Sequence, residues 1–149
     1  PDIFKAIAPI TGCMMGWIYN SCNKNDPVPV FQVHGTADKT TLYDGDVDNR
    51  DLWGAYMGVE TTISFWVDRN ECIGSSVDTL PDVDKNDGSI VVAKKHTGGK
   101  NNNEVWFYKI INGDHEWPPG WPERSGNGDL NTSEEIWTFF QHTIDTRPL

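Results

Sequence analysis

The sequence predicts an α/β fold, and three observations carry that expectation. Two runs of β-branched and aromatic residues, Val28-Pro29-Val30-Phe31-Gln32-Val33-His34 and Val105-Trp106-Phe107-Tyr108-Lys109-Ile110-Ile111, each run straight into a turn rich in Gly and Asp. Two other segments, beginning near Val59 and near Thr132, repeat apolar residues every three or four positions, as a helix with one buried face does. Strands and helices then alternate as strand, strand, helix, strand, strand, helix. That count is half of an α/β sheet with flanking helices rather than a whole domain. No internal repeat or interdomain linker divides the 149 residues.

Residues 4–11 are mostly apolar and end at Gly12, as a short buried parallel strand does, although Pro9 inside the run cannot donate to a ladder. Residues 14–27 have the composition of a loop. The strand at 28–34 ends at Gly35, which frees the turn. Residues 44–51 form an aspartate-rich turn, after which Val59, Ile63, Trp66 and Val67 mark a helix that ends at Arg69 or Asn70. The runs 90–93 and 105–111 read as neighbouring strands joined by a hairpin or loop at 98–103. Residues 118–129, rich in Pro and Gly, form a surface loop. Thr132 with Glu135 three places on makes a capping box for the last helix, whose apolar face is Ile136, Phe139, Phe140 and Thr143/Ile144.

A net charge of −10 and a pI near 4.6, with no Lys/Arg cluster, oppose binding to nucleic acid and to anionic membrane surfaces. No apolar run is long enough to span a bilayer. Seven tryptophans and 37% apolar residues argue against disorder. Cys13, Cys22 and Cys72 lack the C-x-x-C spacing of a structural zinc site. Cys13 and Cys22 are spaced for a local disulfide; three buried or idle thiols fit the sequence equally. Asp44-Gly45-Asp46-Val47-Asp48-Asn49 imitates the start of a calcium loop, but its twelfth position is Ala55 and supplies no bidentate carboxylate. A solvated acidic turn is the better reading, there and at Asp82-Val83-Asp84-Lys85-Asn86-Asp87-Gly88. No metal and no cofactor is expected.

The candidate chemistry lies at two strand ends. Asp38 follows the strand at 28–34, and His115 follows the strand at 105–111 in Ile111-Asn112-Gly113-Asp114-His115-Glu116-Trp117-Pro118-Pro119-Gly120. Sites of open parallel sheets collect at the carboxyl ends of strands, so an acid and a base delivered there belong together. The competing account makes Asp38 a simple Asx-turn residue and His115 an exposed loop histidine. His34, His96 and His142 read as structural. Trp117 and Trp121, two and six places after His115, are candidate substrate-binding rings in the loop over the site, and core caps otherwise. Asn131-Thr132-Ser133 matches a glycosylation sequon, which the helix cap explains at least as well.

Phe31-Gln32-Val33-His34-Gly35-Thr36-Ala37-Asp38, with Tyr43-Asp44-Gly45 after it and then Gly113-Asp114-His115-Glu116-Trp117-Pro118, resembles the polyhydroxybutyrate depolymerase and feruloyl/acetylxylan esterase branch of the α/β-hydrolase superfamily. Further matches are Pro1-Asp2-Ile3-Phe4-Lys5-Ala6-Ile7-Ala8-Pro9, Trp66-Val67-Asp68-Arg69-Asn70-Glu71-Cys72 and Ser133-Glu134-Glu135-Ile136-Trp137-Thr138-Phe139-Phe140. The resemblance implies that H-G-x-x-D supplies the triad acid, Asp38, and G-x-H-x-W-P the triad base, His115. It places the serine in a G-x-S-x-G elbow and the oxyanion loop before Pro1; this chain contains no G-x-S-x-G. Residues 1–149 are then expected to be the C-terminal part of one α/β-hydrolase domain, inactive alone. Family members often carry a partner for the cysteine at Cys72 near residues 91–95, where this chain has none.

The function so implied is a secreted or periplasmic serine carboxylesterase acting on feruloyl or acetyl esters of plant polysaccharide. Its partners are the ester substrate and the missing N-terminal half of the domain. A polyhydroxyalkanoate depolymerase is the alternative within the family. A noncatalytic carbohydrate-binding module, built on Trp17, Trp53, Trp117 and Trp121, is the alternative of another class.

Overall fold

The computed structural model describes residues 3–22, 26–119 and 126–146. The protein has a mixed α/β fold, with a four-stranded mixed sheet, a small hairpin and three helices. In chain order the elements are α1 (Gly16–Ser21), β1 (Val30–Gly35), β2 (Gly45–Asp46), β3 (Tyr56–Met57), α2 (Val59–Asn70), β4 (Gly74–Thr79), β5 (Ile90–Thr97), β6 (Val105–Ile111) and α3 (Thr132–Thr146). A single 3-10 turn, Lys100–Asn102, lies between β5 and β6. The main sheet runs β1-β6-β5-β4, and β2 pairs with β3 alone.

β1 and β6 are parallel, with Val30 opposite Val105 and Gly35 opposite Ile110. β1 is buried throughout and β6 nearly so, because both faces are covered. Val30, Val105 and Phe107 point to one face and pack against Val59 and Ile63 of α2. Phe31, Val33, Trp106, Tyr108 and Ile110 alternate to the other face and pack against Phe139 of α3 and Leu130. Phe31 meets Tyr108 edge-on at 4.9 Å between ring centroids and lies 5.8 Å from Phe139. Each fully buried Phe stabilises the fold by about 1.5–3 kcal/mol through burial.

The expected strand at 4–11 is present only as an extended edge segment, bridged in parallel to β1 at Ile7–Val30 and Ile10–Val33. Its ladder runs Ile7 N to Pro29 O, Phe31 N to Ile7 O, Val33 N to Pro9 O and Thr11 N to Val33 O. The bond that the nitrogen of residue 9 would donate is missing, because Pro9 has no N–H.

β5 is antiparallel to β6, as a hairpin between the two runs would make it, and β4 to β5, so the sheet is mixed. The loop between β5 and β6 is too short for the crossover that parallel strands need. Three other features depart from the expectation. β4 itself, Gly-Ser-Ser-Val-Asp-Thr, is exposed at every position and carries no apolar alternation; the backbone ladder to β5 holds it. α1 forms within the stretch read as loop, where Gly16 N donates to Ala55 O and Met57 N to Met14 O. The cap of α3 is Asn131 rather than Thr132: Asn131 Oδ1 accepts from Glu134 N, and Glu135 bonds the Tyr108 hydroxyl instead.

Candidate functional site

Asp38 and His115 are held together by backbone before their side chains meet. Thr36 N donates to Ile110 O and Ala37 N to Gly113 O, while Asn112 N donates to the Thr36 hydroxyl. A Cβ added at Gly35 would lie 2.2 Å from Gly113 O and 2.6 Å from Asp114 O, so the two turns are in contact and only glycine fits. Asp114 adds a further stitch. Its Oδ1 accepts from His115 N at 2.8 Å and from Lys39 N at 3.2 Å, and these bonds lower the pKa of its carboxyl.

The Asp38 side chain is inaccessible to solvent, and its two oxygens have different partners. Oδ1 accepts from Thr40 N and Thr41 N, both at 2.8 Å, which is the Asx-turn of the competing account. Oδ2 lies 3.0 Å from His115 Nδ1 and 3.2 Å from His34 Nε2. Asp38 is therefore a turn residue and a histidine partner at once. The His115 side chain is 40% exposed, and its Nε2 faces the Thr11 hydroxyl at 3.5 Å.

With Nδ1–H donated to a carboxylate, the Nε2 lone pair of a neutral imidazole is free to take a proton. The carboxylate also steadies the imidazolium that results. This arrangement is equipped for general acid–base chemistry on a group arriving at Nε2.

His34 is more than the structural histidine read from its strand-end position. Its Nε2 is 2.8 Å from Thr41 O as well as 3.2 Å from Asp38 Oδ2, so one N–H is shared between the turn and the acid. Nothing in the spacing reveals this, because the turn at 35–38 folds Asp38 back over a residue four places earlier. His34 Nδ1 is buried and has no partner among the described residues. Burial, reinforced by the neighbouring His115, lowers the pKa of His34 below the usual 6.5 against smaller opposing effects of Thr41 and Asp38. A depressed histidine contributes stability that is fully present above pH 6.5 and is lost as pH falls through its folded value. Urea midpoints are therefore expected to drop as pH falls below 6.5, and His34→Gln to flatten that drop. His96, also depressed by burial, leaves a residual slope in both proteins. Equal slopes would mean that His34 does not carry the acid sensitivity.

Trp117 is 53% exposed, and its indole N–H donates to the Ser133 hydroxyl at 3.2 Å in the first turn of α3. It stands two residues from His115 with its ring fixed at one edge. Trp121, the other candidate, lies outside the described residues. Glu116 Oε2 accepts from Asn127 N, and Thr132 N donates to Pro118 O, so the loop is closed at its base.

The three cysteines are free. The Cys13 thiol is pushed up to about 12 by burial and by the Asp38 charge, which keeps it unreactive. In the acidic turn, Asp46 Oδ2 accepts from Asp51 N and Asp48 pairs with Arg50. Among the described residues no group of three or more His, Cys, Asp or Glu side chains is arranged to hold a metal ion. No helix there is long and apolar enough to cross a membrane. An open groove of about 760 Å³ is lined by Tyr19, Phe65, Asp68 and Arg69 among others, and it includes neither Asp38 nor His115. Comparison with models of known families and with curated proteins finds no match to this chain.

Proposed function

We propose that the chain is the acid- and base-bearing C-terminal part of a serine carboxylesterase domain of the α/β-hydrolase type. The observation that carries this reading is the bond between His115 Nδ1 and the buried Asp38 Oδ2, made at the carboxyl ends of two parallel strands, with the His115 side chain 40% exposed and Nε2 not engaged by the acid. Acid precedes base in the chain, as in that fold. The covered faces of β1 and β6 and the parallel edge segment before β1 also agree with it.

In the reaction, a serine hydroxyl supplied from outside this chain attacks the ester carbonyl while His115 Nε2 takes its proton. The imidazolium, steadied by Asp38, then protonates the departing alkoxide and leaves an acyl-enzyme. Water attacks the acyl group, His115 accepts its proton and returns it to the serine, and the carboxylic acid leaves. No step requires a cofactor.

The substrates proposed are feruloyl or acetyl esters of plant polysaccharide, met by a secreted or periplasmic enzyme because such polymers lie outside the cell. The exposed, tethered Trp117 supports the aromatic acyl group. The test is hydrolysis of methyl ferulate and 4-nitrophenyl acetate by the full-length protein and by its Trp117→Ala variant. Trp117→Ala should lower kcat/KM on the feruloyl ester by about tenfold or somewhat more relative to the acetyl ester, about the worth of one stacking contact. Equal losses would make Trp117 a packing residue, and no hydrolysis of either ester would overturn the assignment.

A further inference from the structure

Thr11 is a β-branched residue held at φ +54, in the left-handed region that favours glycine. Such a conformation costs about 1–3 kcal/mol and persists where the surroundings fix it. Here the residue is fixed by Thr11 N donating to Val33 O at 2.9 Å, the last bond of the edge segment's ladder. That bond places its hydroxyl 3.5 Å from His115 Nε2, the nitrogen not engaged by Asp38, across 104 positions of sequence. The same hydroxyl donates to Ile10 O at 2.8 Å. A hydroxyl has one proton and two lone pairs, so it can serve either state of the ring.

We propose that Thr11 is a positioning residue for His115, which rests on the reading of His115 as the base. When the imidazole is neutral, the Thr11 O–H turns from Ile10 O to the Nε2 lone pair. When Nε2 has taken a proton, the O–H returns to Ile10 O and a hydroxyl lone pair accepts from Nε2–H. No proton is gained or lost by Thr11 in either state. Asp38 grips one edge of the ring and Thr11 the other, which holds Nδ1 on the acid until an oxygen of serine or substrate arrives at Nε2. At 3.5 Å the contact is long for a hydrogen bond, so an arriving serine or leaving-group oxygen displaces it readily.

Three variants of the full-length protein test this. Thr11→Val keeps the branched shape and removes the hydroxyl; Thr11→Ser keeps the hydroxyl; Thr11→Gly removes it while relieving the backbone. On 4-nitrophenyl acetate, Val and Gly should each lower kcat about tenfold, the scale of one hydrogen bond, with KM unchanged, and Ser should restore most of it. Gly should raise the melting temperature as it lowers kcat. Independently of activity, the ¹⁵N resonance of His115 Nε2 should move in Val and Gly and stay in place in Ser. A fully active Gly variant, a Ser variant as slow as Val, or an Nε2 resonance indifferent to all three would overturn the proposal. Activity that survives His115→Ala would instead overturn the esterase reading beneath it.

Discussion

Replacing His115 by alanine in the full-length protein is expected to lower kcat on an aryl ester by about three to four orders of magnitude or more while leaving the melting temperature nearly unchanged. The ring is partly exposed, and Asp38 keeps its bonds to Thr40 N, Thr41 N and His34 when the ring is lost. Asp38→Asn should cost about as much in kcat and should also destabilise the fold. Its amide NH2, if turned toward the histidines, sets donors against the N–H groups of His34 and His115; if turned the other way, it sets them against Thr40 N and Thr41 N. Steady-state kinetics and thermal unfolding of both variants check this. Activity near wild type in His115→Ala would remove the residue from the chemistry.

Gly35→Ala is expected to lower both activity and stability, by more than about 3 kcal/mol in stability. The added Cβ meets backbone oxygens of Gly113 and Asp114, at 2.2 and 2.6 Å, and no side-chain rotation relieves such an overlap. Relief requires the turn at 113–115 to move away from the turn at 35–38, which breaks the bond of Ala37 N to Gly113 O and pulls His115 from Asp38. Gly12→Ala is the matched control, since a Cβ there meets only Pro9 Cβ, at 3.8 Å. Its unfolding midpoint should stay within about 1 kcal/mol of wild type. Equal midpoints for the two variants would mean that the close approach of the two turns does not hold the site.

The elements that place Asp38 and His115 were legible because burial leaves a composition signal. β1 and β6 lie between two helices and are rich in β-branched and aromatic residues, while α2 and α3 bury one stripe each. β4 was not legible, since a strand held only by its ladder needs no apolar pattern. The antiparallel sense of β5 agrees with the hairpin alternative for the short segment at 98–103. At the site, the pairing of Asp38 with His115 could be expected from their positions after strands taken together with the family resemblance. The second histidine on Asp38 and the hydroxyl on His115 could not, because both depend on how a turn folds back: four residues for His34, and from the far edge of the sheet for Thr11.

The most direct test of the central claim, that Asp38 and His115 activate a serine, is covalent labelling of the full-length protein with a fluorophosphonate. Such a reagent reacts with a serine hydroxyl that a neighbouring histidine deprotonates. The label is expected on one serine of a G-x-S-x-G segment outside these 149 residues, with a rate about a hundredfold or more lower in both His115→Ala and Asp38→Asn. A rate that is the same in wild type and in both variants would contradict it.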